Sequence, residues 1–116
     1  MNEKIKELRR DECLKYYNDK EYREEINVKY KKISINLSCC DNIVDLKPLE
    51  SVHTLHLSQC YNIVEVSALG SVHTLYLSWC KNIFDVSALG SVHTLKLCSC
   101  DNITDISALE SVHTLN

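Results

Sequence analysis

Glycine occurs only twice in the 116 residues, at positions 70 and 90. The chain therefore holds no Gly-rich phosphate loop, and no strained nucleophile turn or convergent carboxylate pair appears either. No stretch approaches the ~20 apolar residues of a membrane span. The opening "MNEKIKELRR" is charged and lacks an apolar segment, so no secretory signal is read there. Basic residues are scarce after the first quarter: residues 33–116 hold three Lys or Arg against eight Asp or Glu. In residues 1–32 ten basic residues interleave with eight acidic ones. A phosphate-binding surface wants clustered positive charge, so nucleic acid is a poor partner. The expectation is an intracellular (cytoplasmic) protein with no nucleic-acid and no membrane partner.

Cysteine is not lacking, but its seven copies are an odd number and most recur at one spacing. Without an export signal they read as reduced thiols and not as a disulfide framework. Apolar residues make up 45 % of the chain, too many for disorder and ordinary for one folded domain.

Repetition is the strongest feature. "SVHTLHLSQC" at 51–60 returns as "SVHTLYLSWC" at 71–80 and "SVHTLKLCSC" at 91–100, and "SVHTLN" follows at 111–116. The period is 20 residues, with full copies at 31–50, 51–70, 71–90 and 91–110 and a truncated fifth. Position five is Ile35, Leu55, Leu75, Leu95 and Leu115; position seven is Leu37, Leu57, Leu77 and Leu97. Position ten is Cys40, Cys60, Cys80 and Cys100, and position thirteen is Ile43, Ile63, Ile83 and Ile103.

Positions five and seven alternate with polar neighbours, the period of a strand with one buried face. From position ten the apolar residues fall three apart, as in a coil that turns a corner at each. One copy cannot bury its apolar residues alone, whereas stacked copies can, each strand pairing in parallel with the next. The predicted architecture is a solenoid.

"VHTLHLSQCYNI" resembles the leucine-rich repeat core L-x-x-L-x-L-x-x-N/C-x-L, with one extra residue before the final Ile. The Cys-x-x-Ile-Thr-Asp run of "CDNITDISAL" is similar to the cysteine-containing repeats of F-box leucine-rich proteins, and its "TDISAL" tail to internalin-type repeats with a short convex side. The near-identity of the copies is similar to that of leucine-rich repeat proteins of giant DNA viruses of amoebae. The resemblance covers residues 33–116. It implies an α/β solenoid with a parallel β-sheet on the concave face and short turns or 3-10 segments on the convex face. No F-box is recognisable in the first thirty residues, so a ubiquitin-ligase role does not carry over.

Several columns have local explanations. Asp45, Glu65, Asp85 and Asp105 each precede a short turn whose backbone N–H groups a carboxylate can cap. The copy boundary holds Gly70 and Gly90 but Glu50 and Glu110, so it cannot require a positive φ. Pro48 suits an irregular convex segment. The inward Cys column packs as small apolar residues and donates weakly to loop carbonyls, while Cys39 and Cys98 lie outside it and are the more reactive thiols. His53, His73, His93 and His113 form a row at strand starts. Two readings stand beside the view that duplication copied a tolerated His: a metal-binding ladder, and pH-sensitive stability through repulsion between neighbours. No cofactor and no metal residue is assigned, and no catalytic function.

Variation is concentrated. Position six reads Asn36, His56, Tyr76 and Lys96, pointing outward between buried leucines. Position nine, just past the strand, includes Gln59 and Trp79. Side chains that differ on a shared scaffold are where a binding surface would be written, and Tyr and Trp have the character of interface anchors. These six residues are the candidate partner-binding set, for a protein whose identity the chain does not reveal. The expected sheet of four to five strands is about 20 Å wide, small for a tight complex.

Residues 1–32 read as a charged helical cap or arm, with helix formers over 3–17 and apolar–polar alternation in "EINVKY" at 25–30. Val112 and Leu115 begin a coil that is not completed, which exposes an apolar edge. The functional expectation is a non-enzymatic protein-interaction module. The alternatives are a structural fragment that self-associates through Val112 and Leu115, and a metal-binding His ladder.

Overall fold

The computed structural model describes residues 4–116. Its organising feature is a single six-stranded parallel sheet in which each strand lies beside the one before it in the chain. They are β1 (Lys6–Glu7), β2 (Ile33–Asn36), β3 (Thr54–His56), β4 (Thr74–Tyr76), β5 (Thr94–Lys96) and β6 (Thr114–Leu115). From β2 onward the register advances by one copy per strand: Ile35 pairs with Leu55, Leu55 with Leu75, Leu75 with Leu95 and Leu95 with Leu115. The solenoid expected from the period is the fold observed.

Each coil returns through a short 3-10 turn, at Lys47–Leu49, Ser67–Leu69, Ser87–Leu89 and Ser107–Leu109. The sequence explains where these turns start. The carboxylate two residues ahead accepts the first backbone N–H: Asp45 from Lys47 (3.0 Å), Glu65 from Ser67 (2.8 Å), Asp85 from Ser87 (2.9 Å) and Asp105 from Ser107 (3.0 Å). Pro48 sits in the first turn, where its fixed φ fits and no ladder N–H is needed.

The core is a set of columns running through the coils. Leu37, Ile43, Leu49, Leu55, Leu57, Ile63, Leu69, Leu75, Leu77, Ile83 and Leu89 are all fully buried. Each such side chain contributes about 1.5–3 kcal/mol by leaving water.

Gly70 and Gly90 have helical φ values of −61° and −62°, so no left-handed backbone is involved. A Cβ at Gly70 would lie 2.9 Å from the Ala88 carbonyl oxygen, and one at Gly90 2.7 Å from that of Ala108. The residue is small because the next coil passes that close.

Residues 4–30 depart from the expected helix over 3–17, whose first residue lies outside the described residues. Residues 6–7 form a strand instead, and the helices are α1 (Arg10–Asn18) and α2 (Lys20–Lys29). The edge of β2 explains the change: Lys6 and Leu8 donate their N–H groups to the carbonyls of Lys32 and Ser34 at 2.8 and 3.1 Å. An open strand edge offers more to those residues than a helix end does. This added strand also makes the sheet wider than the four to five strands expected. The alternation at 25–30 does not produce a strand, because α2 runs through Lys29, N-capped by Asp19 accepting from the Tyr22 N–H. α1 packs on β2 and on the first 3-10 turn, placing Cys13 and Tyr16 in the core.

Candidate functional site

The position-six residues are adjacent on the outward face of the sheet. Asn36, His56, Tyr76 and Lys96 pair successively across β2 to β5. Strand alternation puts them there, since Leu55 and Leu57 on either side of His56 point into the core. The His56 and Tyr76 rings stack with centroids 4.5 Å apart at 13°, and Lys96 Nζ lies 5.2 Å from the Tyr76 ring centre on the next strand. Tyr76 is thus covered by an imidazole on one side and a cation on the other. Partial burial pushes the His56 imidazole below its ordinary pKa, with the Glu7 carboxylate opposing, so the ring is neutral near pH 7.

Position nine carries a feature that residue types did not announce. Cys39, Gln59, Trp79 and Ser99 all have positive φ, between 62° and 67°. The N–H groups of the first three bind the next coil, Cys39 to Ser58 O at 2.9 Å, Gln59 to Ser78 O at 3.0 Å and Trp79 to Cys98 O at 2.9 Å, and Cys60, Cys80 and Cys100 follow as buried side chains. None is Gly or Asn, the residues that would have signalled such a backbone. Trp79 emerges from this corner 48 % exposed, beside the strand end and not on the strand face. Gln59 is exposed and accepts from the Cys39 thiol at 3.1 Å.

The cysteine column faces carbonyls one coil back. Cys60 donates to Leu37 O at 3.2 Å, Cys80 to Leu57 O at 3.2 Å and Cys100 to Leu77 O at 3.0 Å. Burial raises all three thiols, Cys80 to about 11, so they stay protonated at neutral pH. Protonated thiols in a line suit neither nucleophilic attack nor zinc ligation. All seven cysteines are unpaired, with Cys39 and Cys98 exposed.

The histidine row is a stack as well. Centroids of His53, His73, His93 and His113 lie 4.5 Å apart in each step, with planes 12–13° from parallel. Each Nδ1 is within hydrogen-bond distance of the next threonine hydroxyl, from 2.8 Å at Thr74 to 3.3 Å at Thr114. Near-parallel rings hold their in-plane lone pairs side by side, whereas a zinc site needs donors converging at about 2.0–2.1 Å. Among the described residues no group of three or more His, Cys, Asp or Glu is placed to hold a metal ion.

Two residues that sequence reasoning missed border this face. Arg10 Nη1 donates to Asn36 O at 3.0 Å, and its Nη2 to Ser38 O at 2.9 Å. Glu7 on β1 joins Arg10, Cys13, Ser34, Asn36 and His56 around a half-open cavity of about 320 Å³. No spacing signal distinguishes Glu7 or Arg10 among the other charges of "KELRRDE". At the far end of the sheet, Val112 is partly buried against the core and Leu115 is 38 % exposed on β6. No described helix is long and apolar enough to cross a membrane.

No protein-family model matches the chain, and no curated protein matches it. Among solved structures it is similar to internalin C2 of Listeria monocytogenes, with 14% sequence identity and a TM-score of 0.34. The match covers 76% of this chain and 61% of that one, so it spans about three fifths of that protein's length. A likeness of that size assigns no residue a role.

Proposed function

We propose that the chain is a leucine-rich repeat solenoid acting as a non-catalytic protein-binding module, with the outward sheet face as its concave docking surface. One observation carries this reading. Copies that agree at nearly every core, turn and capping position differ at position six, and the four side chains there form one contiguous row. His56, Tyr76 and Lys96 are held against one another before any partner arrives, which lowers the side-chain entropy lost on binding. Trp79 extends the row past the strand end as an exposed aromatic. In this reading β1, α1 and α2 are the cap that closes the first coil, leaving the face open along its length.

The test compares capture of partners by the wild type with capture by Tyr76→Ala plus Trp79→Ala, using Phe84→Ser, which changes an exposed apolar residue outside the sheet, as control. Loss with the double variant and retention with Phe84→Ser supports the reading. Partners that survive the double variant and vanish with Phe84→Ser would place binding elsewhere.

A further inference from the structure

The strands of the sheet place formal charge at two outward positions, with Arg10 of α1 bordering the same face. β2 to β6 contribute Lys96 as their one formal charge on the alternate positions that point outward, and β1 contributes Glu7, paired with Ser34. Between them lie Ser34, Asn36, Thr54, His56, Thr74 and Tyr76, all uncharged when the imidazole is neutral. The basic and acidic ends are held differently. Lys96 is held over Tyr76, its Nζ 5.2 Å from the ring centre, and makes no ion pair among the described residues. Glu7 lies at the rim of the 320 Å³ cavity and makes no ion pair among the described residues. Arg10, the other charge lining that cavity, is turned to Asn36 O, Ser38 O and the Cys40 sulfur. Neither charge has a counter-ion among the described residues, but Arg10 is hydrogen-bonded whereas the Glu7 carboxylate makes no hydrogen bond among them.

Resting on the binding reading above, we propose that the occupant of this face is an extended segment carrying a basic and an acidic side chain about six residues apart, the basic one seated beside Glu7 and the acidic one on Lys96. The spacing follows from geometry. β1 and β5 are four strands apart, about 19 Å at ~4.8 Å per step, and an extended chain covers that in about six residues at ~3.3 Å each. The cavity at the Glu7 end has room for the long stem of Lys or Arg against Leu8, with Ser34, Asn36 and His56 as further polar neighbours and the Arg10 guanidinium, held on the Asn36 and Ser38 carbonyls, as the one opposing charge in its lining. At the other end the ammonium of Lys96 meets a carboxylate without leaving the Tyr76 ring.

A bead library of random peptides about ten residues long is selected against the wild-type chain and against Glu7→Lys, Lys96→Glu, Glu7→Gln and Lys96→Gln at low salt. The expected result is enrichment of opposite-charge pairs five to seven residues apart. Glu7→Lys should shift the preference to two acidic residues and Lys96→Glu to two basic ones, while each Gln variant weakens binding of the selected peptides roughly two- to fivefold. Enriched peptides that depend on Tyr76 (tested with Tyr76→Ser) but lack the charge pair would overturn this inference and leave the binding module standing. If no peptide is enriched, or none responds to Tyr76→Ser, the inference and the binding reading fall together.

Discussion

Arg10 stands in for a missing coil above Asn36. In every later coil the equivalent carbonyl accepts a backbone N–H from the coil before it: His56 O from Leu37 N, Tyr76 O from Leu57 N, Lys96 O from Leu77 N. Asn36 O and Ser38 O have no such coil, and the two arms of the Arg10 guanidinium reach them at 3.0 and 2.9 Å. The planar fork supplies two donors at a separation that a single ammonium cannot match.

Arg10→Ala should therefore lower stability by about 1–2 kcal/mol, since both carbonyls sit at an exposed edge where water replaces part of the loss. Arg10→Lys should recover less than half. Urea unfolding provides the measurement, and an unchanged midpoint for Arg10→Ala would show that the fork is incidental.

Gly90→Ala should destabilise by about 1–3 kcal/mol, although φ at this residue suits alanine. Where only dihedral freedom matters, the same change stabilises by about 0.4–1 kcal/mol. The sign of the shift in denaturant midpoint thus decides whether the 2.7 Å approach to Ala108 O is the constraint.

Ser99 has a φ of 62°, and its side chain makes no hydrogen bond among the described residues. Ser99→Gly should raise stability by roughly 0.5–1 kcal/mol by relieving the left-handed backbone, and Ser99→Val should lower it. Equal midpoints for the three proteins would mean that the corner carries no strain.

Stability should fall on acidification through the range where histidine titrates. His53 and His73 are pulled below 6.5, first by partial burial, then by the neighbouring imidazole and by Lys32. The unfolded chain then binds protons at a higher pH than the folded one. Stability is complete above the unfolded value and declines as pH drops from there to the lower folded values. Asp85 and Asp105, held below 3.8 chiefly by the Ser87 and Ser107 N–H groups, add their loss only at lower pH. Urea midpoints from about pH 7.5 to about pH 5 should show the decline, reduced in His53→Gln plus His73→Gln. A flat profile in the wild type would contradict the stacked column.

Thiol labelling of the native chain should distinguish the cysteines by column. Cys39 and Cys98 are exposed and should react first; Cys60 and Cys80 are fully buried and should react only after unfolding. Rapid labelling of Cys80, whose thiol is raised to about 11, would be incompatible with its place in the core.

Much of this was legible before any coordinates. A period of 20 residues with leucines at positions five and seven predicts stacked strands, and Leu55, Leu75 and Leu95 occupy neighbouring rungs as that requires. The carboxylate ahead of each turn was readable because capping is a short-range interaction between residues two apart. Glu7 and Arg10 were not readable. Each touches a residue more than twenty positions away, and both lie in a charged segment with no period to set them off. Position nine was hidden for a different reason: at Cys39, Gln59 and Trp79 the left-handed backbone goes with hydrogen bonds to the next coil, against the preference of those residue types.

By itself the sequence determined the stacking, because a repeat that cannot bury its own leucines must bury them against its copies. The tertiary structure alone decided how the ends and edges are resolved: a strand in place of a helix at Lys6–Glu7, a guanidinium in place of a coil, and rings stacked at 4.5 Å. Those outcomes depend on which donors and acceptors remain unpaired once the core has formed, a quantity that exists only after the coils have been brought together.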